Sequence, residues 1–238
     1  FSNALGASLV PSLVATVKSG NKRQVNDKIS MFVRFNMLIA IPSAVGLLVL
    51  AKPLLDLIFF TENNNVSAKM LQIGAISVIF YCLSTVTNAV HQGLDNMMIP
   101  VKSASVSLVV HMVSLFIMMV VFQWGIYGVV VSKIVFAACA SMLNSHALRQ
   151  KVGYVQEQKR TFAIPLLASA LMGIAALGTY SAFKFIVGAK IATVIALPVA
   201  VIVYGSGLVL LGGITEEEMM EMPKGALLAK LCRKVHLF

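Results

Sequence analysis

Long apolar runs alternate with short polar connections along this whole chain. Six runs approach membrane length: residues 35–50, 70–90, 103–122, 126–143, 162–186 and 191–213. About 20 helical residues at 1.5 Å each cross roughly 30 Å of hydrocarbon, and most of the runs reach that length. A seventh, partial run opens the chain at 1–17. Helices satisfy their own backbone polar groups, as lipid requires, so the pattern predicts an all-α, polytopic transmembrane helix bundle. Pro42, Pro53, Pro100, Pro165 and Pro198 fall near run ends or inside runs, where each removes one backbone bond and permits a kink.

The polar connections carry an orientation signal. The first, third and fifth connections, counted from the one that follows the opening partial run, hold fourteen Lys and Arg together with the C-terminal tail, against four in the intervening ones. The dense groups are Lys18, Lys22, Arg23, Lys28 and Arg34, then Arg149, Lys151, Lys159 and Arg160, then Lys224, Lys230, Arg233 and Lys234. Lys and Arg near helix ends stay on the cytoplasmic side, so the pattern predicts a multi-pass protein of the cytoplasmic membrane with a cytoplasmic C-terminus. Trp124 and Tyr127 fall at the opposite-side interface, where amphipathic aromatics are favoured.

Composition agrees with this picture and narrows it. The chain is 58% hydrophobic and 12% charged, whereas soluble domains carry about 25% charged residues. A net charge of +10 raises the question of nucleic acid, but no dense basic run with interleaved aromatics is present, so no nucleic-acid partner is expected. The positive excess fits anionic membrane lipids instead. Cys82, Cys139 and Cys232 are far apart and show no metal-ligand or disulfide spacing. Neither metal nor cofactor is expected. Phe1 already lies in an apolar run without a basic leader or cleavage site, which reads as a fragment beginning inside a helix of a longer protein.

The last 25 residues differ from the rest. Thr215 followed by Glu216, Glu217 and Glu218 forms a capping box, and residues 226–238 make a basic amphipathic segment. A surface helix on the inner leaflet is one reading of 226–238 and a frayed solvated tail is the other; 214–238 as a whole is expected to be a cytoplasmic amphipathic tail.

Ionisable groups at membrane depth are functional candidates by default. His111 lies mid-run in 103–122, and Lys133 lies about two turns into 126–143. Asn88 and His91 close the run that ends before Gly93. One reading puts His111 and Lys133 in a hydrated cavity that meets an anionic headgroup or a proton. The other has Lys133 snorkel to the interface and His111 bond to a neighbouring helix. Asn88 and His91 read similarly as cavity residues or helix-end polar groups. No HExxH, GxSxG, P-loop or dinucleotide motif occurs, and none of the nine acids is central in a run. Catalysis is therefore not expected.

Four passages carry a family resemblance. They are 8–13 with 20–29 (SLVPSL and GNKRQVNDKI), 41–59 (IPSAVGLLVLAKPLLDLIF), 88–101 (NAVHQGLDNMMIPV) and 125–132 (GIYGVVVS). In these the chain resembles the stage V sporulation protein B group of polysaccharide and lipid-linked oligosaccharide flippases. That group sits in the superfamily of multidrug and toxin extruders and the lipid II flippase. The tail pattern ITEEEMMEMPKGALLAKL looks closest to the sporulation branch.

The resemblance implies fourteen membrane helices in two six-helix lobes plus two extra helices. This chain would then hold the end of helix 8 and helices 9 to 14. Its parts would be a partial helix over 1–17, four C-terminal-lobe helices over 30–147, two extra helices over 162–213, and the tail at 214–238. The implied activity is alternating-access flipping of a lipid-linked oligosaccharide or cell-wall precursor. The cationic cavity residues of the lipid II relative lie mostly on upstream helices, so none is carried onto this sequence. Two other functions stay open: a cation-coupled multidrug exporter of the same fold, and a non-transporting membrane scaffold in spore or envelope assembly.

Overall fold

The computed structural model describes residues 2–18, 21–59 and 64–213, apart from the Leu5 side chain. The cytoplasmic amphipathic tail expected over 214–238, with the surface helix read in 226–238, lies outside the described residues. Every regular element described is helical. We label them α1 (Ser2–Lys18), α2 (Lys22–Ile58), α3 (Asn65–Gly93), α4 (Met98–Phe116), α5 (Ile126–Val152), α6 (Ile164–Val187) and α7 (Ala189–Leu210). Single π-helical turns extend α4 at Ile117–Val121 and precede α6 at Lys159–Ala163. Six of these helices, all except α1, are long and apolar enough to cross a membrane. They coincide with the six apolar runs.

The basic connections are shorter than the apolar pattern suggests, because helices extend past the hydrocarbon. α2 has 37 residues, about 55 Å, and carries Lys22, Arg23, Lys28 and Arg34 on its own first turns. Asn21 starts it: the Asn21 side chain accepts from Arg23 N at 3.1 Å and Gln24 N at 3.3 Å. α5 likewise carries Arg149 and Lys151 in its last turn and stops at Gly153, whose φ of 71° suits a residue without a Cβ. The α3–α4 turn spans only 94–97, so Lys102 is helical. Between α6 and α7 only Gly188 intervenes, at φ 84°. α2 kinks near Leu50 (φ −102°, ψ 16°), because Pro53 supplies no N–H for the preceding turn.

Two packing units share α2. On one side α1, α2, α3 and α5 enclose a core of Leu9, Leu13, Ile29, Met37, Ile41, Val86 and Val90. On the other, α6 and α7 pack tightly together and lean on α2 through Leu50, Met172, Ala176 and Ala200. Small residues set the spacing in this second unit: a Cβ on Gly173 would stand 3.2 Å from Val45 Cγ1 and 3.3 Å from Val49 Cγ2. α4 is the least enclosed helix. It buries only Ser103 and Ser107, and it packs chiefly on α5.

Candidate functional site

An apolar groove opens between α2, α6 and α7. Its cavity is about 640 Å³, and Pro42, Gly46, Leu50, Gly173, Ala200 and Tyr204 are among its walls. Glycine and alanine positions leave the space: a Cβ on Gly46 would meet nothing closer than Met172 Cε at 4.0 Å. Tyr204 Oη donates to Leu38 O at 2.6 Å, pinning α7 to α2 beside the groove. Almost nothing in the walls is polar, so the groove suits a hydrocarbon chain and offers no chemistry for a sugar or a phosphate.

A buried polar seam lies on the opposite side of α2. Asn36 Nδ2 donates to Cys82 O at 2.6 Å, and Ser2 Oγ donates to Asn36 Oδ1 at 2.6 Å. Farther along α3, Asn144 Nδ2 donates to Asn88 Oδ1 at 2.6 Å. The ring of His91 meets Asn144 O at 3.0 Å through Nε2. The fold thus brings Asn88 and His91 together on Asn144, a residue near the end of its apolar run. His91 is 0% exposed, so a ligand reaches it only if α3 and α5 separate.

His111 and Lys133 lie elsewhere. His111 is half-buried on α4; its Nδ1 is 3.0 Å from Ser132 O, and its ring meets Phe136 edge-on at 5.9 Å. Lys133, the next residue after Ser132, is exposed. Ser132 and Asn144 are twelve residues apart on α5, which separates the two polar groups by about 18 Å along the helix axis. His111 therefore has a bonding partner on a neighbouring helix, and Lys133 has open surroundings. No group of three His, Cys, Asp or Glu able to hold a metal occurs among the described residues.

The structure adds two features to those read from the residues. Arg34, counted above as a connection residue, is only 8% exposed and its Nη2 donates to Gly213 O beyond the end of α7. A guanidinium there meets the negative end of the α7 dipole. The groove is the second feature. Its residues are distant in sequence and individually ordinary, so the one available signal was small residues recurring in 168–176 and 192–207.

Comparison with known proteins follows the same lines. The model of the lipid II flippase MurJ family matches residues 1–196. The probable lipid II flippase MurJ of Bdellovibrio bacteriovorus is 29% identical over 155 residues, covering 63% of this chain and 29% of that protein. The uncharacterized membrane protein YabM of Bacillus subtilis is 27% identical over 241 residues, covering 98% of this chain and 44% of that protein. The Bacillus subtilis lipid II flippase MurJ is 24% identical over 179 residues, covering 74% and 32%. The chain thus spans less than half the length of these relatives. They support the flippase family as a whole and do not single out its sporulation branch. Six membrane-length helices and a family model covering most of the chain lead to one conclusion: this multi-pass membrane chain belongs to the MurJ lipid II flippase family, a family of transporters rather than enzymes.

Proposed function

We propose that the chain forms the C-terminal lobe of a flippase that moves a lipid-linked oligosaccharide or cell-wall precursor across the cytoplasmic membrane by alternating access. The apolar groove between α2, α6 and α7 carries this reading. Flipping must move a polar headgroup while the hydrocarbon tail remains in an apolar phase. Moving a tail from lipid into an apolar groove changes its surroundings little, because lipid is already as apolar as leucine. The groove therefore guides the tail without gripping it, which suits a carrier that must release. The headgroup meets polar or cationic side chains in the space facing a second lobe, where Lys133 and His111 would serve. The tail pattern at 214–231 supports a role in spore or envelope assembly as the finer reading.

The test is flipping of a lipid-linked precursor in vesicles holding the intact protein. Gly46→Trp fills the groove without a backbone clash and should lower flipping at least tenfold at unchanged membrane abundance. Lys133→Ala should lower flipping by a smaller factor. Full flipping by Gly46→Trp removes the tail-guiding role of the groove. A multidrug exporter would instead keep drug efflux while its cells accumulate no lipid-linked precursor on depletion.

A further inference from the structure

At the basic end of the bundle, a pocket of about 270 Å³ separates the last turns of α5 from the 153–158 connection. Ser145, His146, Arg149, Tyr154, Gln156 and Gln158 line it, with Val155 at its edge. Two polar atoms there are buried without a hydrogen-bond partner, Ser145 Oγ and Gln156 Nε2. Both are donors, and Arg149 adds a guanidinium that has no carboxylate partner among the described residues. Among the described residues no carboxylate lines the pocket; neighbouring Glu157 lies outside the lining and pairs with Arg160 at 3.8 Å. The connection is anchored rather than loose, because Tyr154 is 5% exposed and belongs to the core that α1, α2, α3 and α5 enclose.

We propose that this pocket binds the phosphate of an anionic phospholipid headgroup. Both donors are covered as they stand, and turning the Ser145 and Gln156 side chains into the pocket they line would place both on an anion that faces the Arg149 guanidinium, removing the cost of leaving them unpaired. Val155 is 71% exposed and gives the pocket an apolar edge, which a lipid covers and a free phosphate leaves bare. Basic pockets between membrane helices on the cytoplasmic side are known to take acidic headgroups.

The experiment is a titration of the intact, detergent-solubilised protein with dioleoylphosphatidylglycerol, followed by native mass spectrometry. Dioleoylphosphatidylcholine and inorganic pyrophosphate serve as competitors. Arg149→Gln should weaken phosphatidylglycerol binding about fivefold, since one basic residue near anionic lipid contributes on the order of 1 kcal/mol. Gln156→Leu, which keeps all charge, should weaken it several-fold, and Arg149→Lys should restore part of the Arg149→Gln loss. Lys151 lies on the opposite side of α5 and lines a different pocket with Lys22, so Lys151→Gln should leave binding within twofold. Equal losses in Lys151→Gln and Arg149→Gln would reduce the effect to general surface charge and overturn the site. Wild-type binding in Gln156→Leu and Arg149→Lys would overturn it as well. Displacement by pyrophosphate at lipid-equivalent concentration would overturn the lipid assignment in favour of a free phosphate compound.

Discussion

The two sides of α2 are built by opposite means. Toward α1 and α3, the helix is stitched by polar side chains: Asn36 reaches Cys82 O and accepts from Ser2. Toward α6, contact depends on small residues and shape, with Gly173 set against Val45 and Val49 and an open groove beside them, while α7 is tied to α2 by Tyr204 donating to Leu38 O and Arg34 donating to Gly213 O. In lipid neither side gains much from hydrophobic burial, since the alternative partner is equally apolar. Hydrogen bonds then fix α2 in register against α3 and α7, while close backbone approach holds the α2–α6 contact without specifying a single position. A bundle in which α2 is stitched to α3 and α7 but meets α6 along a sliding side can keep its core in register while α6 shifts beside the groove.

The largest effect should come from the sliding side. Gly173→Leu forces α6 away from α2, because a Cβ is already tight there, and overpacking of this kind costs about 1–3 kcal/mol. Heating the purified protein should show a clear fall in melting temperature, with less folded protein recovered from membranes. Gly46→Leu, in the same interface but facing open space, should leave the melting temperature near wild type. If the two glycines behave alike, the groove is not a distinct space.

A smaller effect is expected from the stitched side. Asn36→Leu removes two interhelical hydrogen bonds, and such bonds in membranes contribute about 0.6 kcal/mol each on average. The fall in stability should therefore be about 1 kcal/mol. Arg34→Met keeps the apolar stem and removes the guanidinium from the end of α7, and should lose a similar amount. Protease accessibility near Gly213 should rise in Arg34→Met and stay unchanged in Asn36→Leu.

The smallest effect concerns Tyr154, at the basic end and outside the spans. Burial raises its pKa above the ordinary 10.0, the bond to Ser30 works against the rise, and the charge of Glu157 adds to it. The folded state thus holds the neutral phenol to higher pH than the unfolded state does. Its contribution is complete below pH 10 and is lost as pH rises from there through the raised value. Tyr154→Phe should leave stability at neutral pH near wild type, and its stability should fall less steeply than wild type above pH 10. Parallel curves for the two proteins above pH 10 would show that Tyr154 is not buried in the folded state.

The membrane helices were legible in the sequence because hydrocarbon imposes a length and excludes charge, and both are local properties. Helix ends were less legible. Lys22 to Arg34 look like a connection by charge, yet they continue α2, because water tolerates a helix as readily as a loop once Asn21 caps it. Among the candidate residues, Asn88 and His91 converge on Asn144 through pairing of α3 with α5, which no spacing along the chain announces. Arg34 was visible as a charge but its partner is 179 residues away.

By itself, then, the order of residues determined that this is a helical membrane protein, where its spans run, which ends are basic, and which flippase superfamily it resembles. The first three follow from hydropathy and charge, summed over short windows; the resemblance rests on the passages 8–13 with 20–29, 41–59, 88–101 and 125–132. Tertiary packing alone decided that small residues on α6 and α7 leave a groove against α2, that Arg34 closes the end of α7, and that orphaned donors gather around Arg149. Each of these depends on side chains from separate helices meeting in space. In lipid, that meeting is governed by shape and hydrogen-bond geometry rather than by apolarity, and neither is written in a hydropathy pattern.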